Sequence, residues 1–224
     1  MTANSSPNKL DEIKLLMKYA VPPDQLAEAT ALLEKHGSDE VGLNIFHHFY
    51  SYLPEGEEDR IRLLRLLDRR QGTFLICAST NLGDYIFLAT SERAEFLGVI
   101  QEGIWEEEVL DFFGFSDREN FIKKHADLSK FPVYVPALLH NDLCPICHTA
   151  HGELHNFGCP VEICPWCGGQ LTVCDCRFKK LNTGQLNKET QLENLLEKLN
   201  KKGRVPFNAE EHRPGYPLTP EDLK

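Results

Sequence analysis

The residues best suited to chemistry lie between Cys144 and Cys176, a short span holding seven of the eight cysteines and three of the nine histidines. Two C-x-x-C pairs, Cys144/Cys147 and Cys164/Cys167, are separated by 16 residues, a spacing used by four-thiolate zinc sites. Zinc takes thiolate and imidazole donors in a tetrahedron, and a C-x-x-C turn offers two sulfurs from one tight loop. His155, Cys159, Cys174 and Cys176 supply four further donors. Seven clustered cysteines are an odd number, which fits a mixed Cys/His metal site better than a disulfide framework.

Two ligand pairings are open. If Cys144, Cys147, Cys164 and Cys167 share one ion, an extended strand over 170–173 carries Cys174 and Cys176 roughly 20 Å beyond it. There they would meet His155 and Cys159 as a second, interleaved site, with Cys174 and Cys176 on one strand face. The sequential alternative groups Cys144, Cys147, His155 and Cys159, then Cys164, Cys167, Cys174 and Cys176. It needs a tight turn at Gly168-Gly169. The expectation is one or two zinc ions, at least one held through both knuckles. Four protein ligands close such a site, so the zinc is expected to be a folding element rather than a catalyst. His148 and His151 read as spare, exposed polar residues.

Cys164-Pro165-Trp166-Cys167-Gly168 resembles the knuckle of zinc ribbons and rubredoxin-like modules, in which glycine relieves the backbone where amides turn toward sulfur. Cys144-Pro145-Ile146-Cys147 shares the proline but is followed by His148. The wider run from Gly158 to Cys176 is similar to a cysteine-rich stretch of uncharacterised bacterial proteins, a resemblance that implies no activity. Residues 1–140 resemble no family. A glutaredoxin-like redox role is disfavoured, because that chemistry needs the first cysteine at a helix N-terminus after a strand. The deaminase pattern H-x-E…P-C-x-x-C is also disfavoured. Ile163 stands where its proline belongs, and the gap from Glu153 to Cys164 is too short for a helix and a strand.

Charge bounds the partners. The chain of 224 residues has a formal charge of −10. Residues 1–140 carry −9, residues 141–176 carry −4 with no Lys or Arg, and residues 177–224 carry +3. Nucleic-acid binding rests on Lys and Arg neutralising phosphates, so the metal segment cannot supply it alone. The expected partner is another protein. The alternative is a nucleic-acid-associated protein using Arg177, Lys179, Lys180, Lys198, Lys201, Lys202 and Arg204; an enzyme with its site in the N-terminal part is less favoured. The polar, acidic start is unlike a signal peptide, and no apolar run suffices to cross a bilayer. The expectation is therefore a cytoplasmic, non-membrane protein.

The elements that must position these residues form an α+β pattern. Expected domains are a mainly helical part with a β-hairpin over 1–135, a zinc-ribbon-like module over 136–180, and a C-terminal helix with a proline-containing tail over 181–224. Helices are expected after Pro22-Pro23-Asp24, from Val41 to Leu53 with a cap at 38–40, and over Ile61–Leu67, where Arg62, Arg65, Arg69 and Arg70 would form a solvent face. Strands are expected at 73–80 and 85–90. Short helices follow at 106–113 and after a Ser116/Glu119 capping box. Residues 131–136 read as an extended connection. His47 and His48 read as a core-edge pair, and Cys77 as a buried small residue. Leu192, Leu195, Leu196 and Leu199 mark the last helix, stopped at Gly203.

Overall fold

A computed structural model describes residues 6–54, 56–136 and 143–211. It divides the chain into two compact units, Met1–His140 and Asn141–Lys224. The fold class is α+β, with helices accompanying a four-stranded antiparallel sheet.

In the first unit, α1 (Ser6–Ala20), α2 (Leu26–Lys35) and α3 (Glu40–Tyr52) precede β1 (Ile61–Arg70), β2 (Thr73–Thr80), β3 (Asp84–Ala89) and β4 (Ala94–Val99). Then come α4 (Glu107–Phe113), α5 (Arg118–Lys124) and a 3-10 turn at Leu128–Lys130. Helix α1 buries Ile13, Met17 and Ala20 at helical spacing. The strands lie in chain order β1-β2-β3-β4.

The helix expected over Ile61–Leu67 is a strand. Its buried residues are Ile61, Leu64 and Leu67, a three-residue spacing that imitates a helix face. The cause is two irregularities in the pairing with β2, between Ile61 and Leu63 and between Leu66 and Asp68, where two β1 residues advance against one partner residue. Each resets the inward phase of a two-residue alternation by one position. The arginines therefore do not form a helical solvent face. The Arg62 side chain donates to Thr80 O at 2.7 Å, and that of Arg65 to Phe131 O at 2.8 Å.

Strand β2 is covered on both sides, and Phe74 to Ala78 are all buried. Leu75 and Cys77 join Ile86, Leu97, Leu110 and Phe121 in one cluster. Burial pushes the Cys77 thiol up to about 12, which keeps it an inert core group. On the opposite face Phe87 meets His48 of α3, with ring centroids 5.7 Å apart. Residues 132–134 extend along the β1 edge: Leu66 N–H donates to Pro132 O, and Tyr134 N–H to Leu64 O. This covers an edge that would otherwise present unpaired backbone groups.

Two caps differ from expectation. Helix α5 starts on Asp117, whose carboxylate accepts from Asn120 N–H at 2.7 Å, so Ser116 lies outside the helix. Asp39 opens α3, but its carboxylate makes no capping hydrogen bond: it meets His36 Nδ1 at 2.9 Å and accepts from the Tyr134 hydroxyl at 3.0 Å. All three residues are buried. Gly42 leaves room for this network, since a β-carbon there would sit 2.5 Å from Asp39 Oδ2 and 2.7 Å from His36 Nδ1.

The second unit has little regular structure beyond α6 (Cys176–Leu181) and α7 (Glu189–Lys202). The strand expected over 170–173 is a turn, and Cys176 opens α6. Helix α7 lays Leu195 and Leu199 against Cys164 and Leu171, so it packs with the second knuckle instead of standing apart. The segment after α7 is no free tail over its described part. Phe207 is buried and packs against Cys144, Cys147 and Cys159.

Candidate metal centres

The two knuckles are the same local structure, placed twenty residues apart. Leu143 bridges Ala150, and Ile163 bridges Gln170. Cys144 N–H donates to Thr149 O at 2.8 Å, and Cys164 N–H to Gly169 O at 2.7 Å. His148 N–H returns to Cys144 O, and Gly168 N–H to Cys164 O, both at 2.9 Å. Both turns place the residue after the second cysteine in the left-handed region, with φ 56° at His148 and 76° at Gly168. Glycine takes that conformation without steric cost. In the first knuckle the same turn is made by His148, which is buried instead of being an exposed spare residue. This geometric repetition went unnoticed in the sequence because only the cysteines and prolines coincide.

The knuckles do not share a site. Cys144, Cys147, His155 and Cys159 gather as one group, and Cys164, Cys167, Cys174 and Cys176 as the other, the donor atoms within each lying within 4.8 Å of one another. The expected four-thiolate site across both knuckles is thus replaced by the sequential pairing. Gly168-Gly169 makes the turn that this pairing needed. Cys174 and Cys176 reach one centre from a turn and the first residue of α6, not from one face of a strand.

Two distances in the first group are close to those of a zinc tetrahedron. Zinc–sulfur bonds of about 2.3 Å place two sulfurs about 3.8 Å apart. Cys144 Sγ and Cys159 Sγ are 3.8 Å apart, and Cys147 Sγ is 3.3 Å from His155 Nδ1. A disulfide needs about 2.05 Å, and all eight cysteines are free. Cys144, Cys147, His155 and Cys159 are all buried.

The electrostatics of this group are compatible with a cation. Hydrogen bonds from the Cys144 and Cys159 thiols hold Cys147 far below the usual thiol range, while the contacts of Cys159 with Cys144 and Cys147 push it far above that range. Burial pulls His155 down, but its contacts with Cys144 and Cys147 outweigh that and raise it to about 9. A divalent ion held by these donors would stabilise every thiolate together.

Backbone amides also point at sulfur in equivalent places. Thr149 N–H helps to lower Cys147, and Gly169 N–H is the main cause lowering Cys167. In the second group burial raises Cys164 and Cys174, while the contact with Cys167 raises Cys176. The second group is more open: Cys164 is buried, Cys174 and Cys176 are half-buried, and Cys167 is exposed.

Three residues support the first group in roles the sequence did not suggest. Arg204 Nε lies 2.7 Å from Glu162 Oε1, and its terminal nitrogen donates to His155 O at 2.6 Å. The Glu162 side chain is 1% exposed and that of Arg204 9%. Phe207 completes the cover, its ring 5.1 Å from that of His155. No spacing rule links positions 162, 204 and 207, so these contacts become visible only once the chain is folded. Glu153, weighed as part of a deaminase pattern, accepts a hydrogen bond from Ala150 N–H at 3.0 Å. The knuckle of Cys164 and Cys167 belongs to the other group.

No family model, curated protein or solved structure matches the chain. Among the described residues, no helix is long and apolar enough to cross a membrane.

Proposed function

We propose that the chain is a zinc-stabilised interaction protein, in which two zinc ions fold the C-terminal unit and a partner protein reads the surface so fixed. The grouping of eight donors into two complete fourfold sets carries the reading. A catalytic zinc keeps one coordination position for water or substrate, whereas four protein ligands leave none. Cys144, Cys147, His155 and Cys159 would hold one ion, and Cys164, Cys167, Cys174 and Cys176 the other. Bound zinc would supply coordination energy to a unit whose apolar clusters are small and built partly from the cysteines themselves.

Support for a protein partner comes from the acidic balance and from an apolar groove of about 270 Å³ lined by Phe157, Leu171, Leu186, Leu192 and Leu195. Native mass spectrometry of protein purified under reducing conditions tests the zinc. Two ions per chain are expected, with Cys147→Ser and Cys174→Ser each removing one. Metal-free, folded protein would refute the reading. Retention on immobilised DNA or RNA at low salt, lost as salt rises, would instead favour a nucleic-acid role for the Lys and Arg residues of α6 and α7.

A further inference from the structure

The N-terminal unit contains a hollow with a different chemistry. It has a volume of about 440 Å³ and lies between α3, the start of the loop after it, and strands β3 and β4. Such a size suits a small molecule. Its wall is an unbroken chain of six aromatic rings. Tyr52 packs on His48 at 4.6 Å between centroids, His48 on Phe87 at 5.7 Å, and Phe87 on Phe96 at 5.8 Å. Phe96 continues to Tyr85 at 6.0 Å, and Tyr85 to Phe49 at 6.1 Å. Sequence and sheet geometry explain the arrangement. His48, Phe49 and Tyr52 share one side of α3, while Phe87 and Phe96 are cross-strand partners brought opposite each other by an irregularity after Ile86.

Two of these rings are left open to solvent. Tyr52 is 75% exposed and Phe96 47% exposed. Large aromatic side chains are ordinarily withdrawn from water, and two uncovered at one rim leave apolar surface open to a ligand.

The charge around the hollow selects its occupant. Among the described lining residues Glu57 is the one carboxylate, and there is neither Lys nor Arg. Glu57 and Asp59 both act on the Tyr85 hydroxyl, and Glu95 acts on His48. Burial and the neighbouring His47 hold His48 below its ordinary value, so its ring is uncharged at neutral pH and does not repel a cation. Aromatic faces carry negative quadrupole potential, and a cation with a weakly hydrated apolar surface gains from both rings and acid. A compact, strongly hydrated ammonium gains less, because it must shed water to enter.

We propose that this aromatic hollow binds a small organic cation with a quaternary ammonium head, seated against Tyr52, His48, Phe87 and Phe96 with Glu57 at the rim. The site lies in the first unit and is independent of the zinc reading.

The test compares choline with 3,3-dimethylbutan-1-ol, which has the same shape without the charge, by calorimetry and chemical-shift titration of the full chain as purified under reducing conditions. Choline is expected to bind about tenfold or more tightly than the neutral isostere. Tyr52→Leu keeps an apolar side chain at an exposed position, and Glu57→Gln keeps the shape of the rim. Each is expected to narrow the difference between the two probes by several-fold without altering zinc content. Equal binding of both probes, tighter binding of the alcohol, or binding of neither at tens of millimolar would overturn the proposal. So would an unchanged preference in both variants. Zinc stoichiometry measured on the same samples separates failure here from failure of the metal sites.

Discussion

Removing the Arg204 side chain should weaken the first metal centre more than its distance in sequence suggests. In Arg204→Met, the carboxylate of Glu162 remains in a site where it is 1% exposed, now without its partner at 2.7 Å. Breaking a buried pair from one side costs about 3–5 kcal/mol. His155 O also loses its donor, adding a cost common to any variant lacking the guanidinium. Because metal binding and folding are one equilibrium in such a unit, the loss should be read in zinc affinity. At about 1.4 kcal/mol per tenfold, the single variant should bind zinc at the first centre at least about 100-fold more weakly. The double variant Arg204→Met/Glu162→Leu removes the stranded charge and should recover to within about tenfold of the parent. The measurement is zinc competition against cobalt(II), monitored by its ligand-field bands, in a Cys174→Ser background that isolates the first centre. Equal affinity in the single and double variants would show that the buried carboxylate is not the source of the loss. Unchanged affinity in both would refute the role of the Arg204–Glu162 pair altogether.

Three further outcomes follow from particular contacts. The second centre should lose metal and react first: with chelator and an alkylating reagent, Cys167, Cys174 and Cys176 should label before Cys144, Cys147 and Cys159, as judged by peptide mass mapping, because only Cys167 is exposed. Gly42→Ala ordinarily gains about 0.5–1 kcal/mol in a helix, but here the added carbon meets Asp39 Oδ2 at 2.5 Å. Denaturant unfolding of the first unit should therefore show a net loss of about 1–3 kcal/mol, and a gain would refute the crowding. The third outcome concerns His125, whose pKa is lowered from 6.5 chiefly by burial against Phe115, Phe121 and Phe131. The unfolded chain thus takes up its proton first as pH falls, so stability present above about 6.5 is lost below it and onward through the folded-state value. His125→Phe should flatten that dependence relative to the parent in urea titrations from about pH 7.5 to pH 5.5; an unchanged slope would refute the assignment.

The cysteines made the donor set legible, because ligand chemistry restricts residue type and loop spacing strongly. Their pairing was not legible. Both pairings satisfy the same spacings, and the grouping appears only in the folded positions of the donors. Helices α2 and α3 could be read from apolar residues at helical spacing, and strands β2 and β3 as apolar runs bounded by polar residues. Strand β1 could not, since two irregularities turned its alternation into threes. Helix α1 escaped notice because Ile13 and Met17 are a sparse stripe among charged residues. Strand β4 did so because its pattern is interrupted by Gly98, which adopts φ 136°. The aromatic hollow was invisible for a further reason: His48 and Tyr52 become its wall only when the β3–β4 hairpin is set beside α3.

The sequential grouping has a consequence for the order in which the protein is made. Each donor set is complete as soon as a short, contiguous stretch has been synthesised, ending at Cys159 for the first and Cys176 for the second. Arg204 and Phe207, which enclose the first centre, come dozens of residues later. At about 5–20 residues per second, roughly two to nine seconds separate the last ligand from the cover. During that interval a nascent chain presents a finished but open coordination site, accessible to whatever supplies the metal. Arrival of the C-terminal segment would then seal it, so that an ion would be admitted early and retained by residues that took no part in its capture.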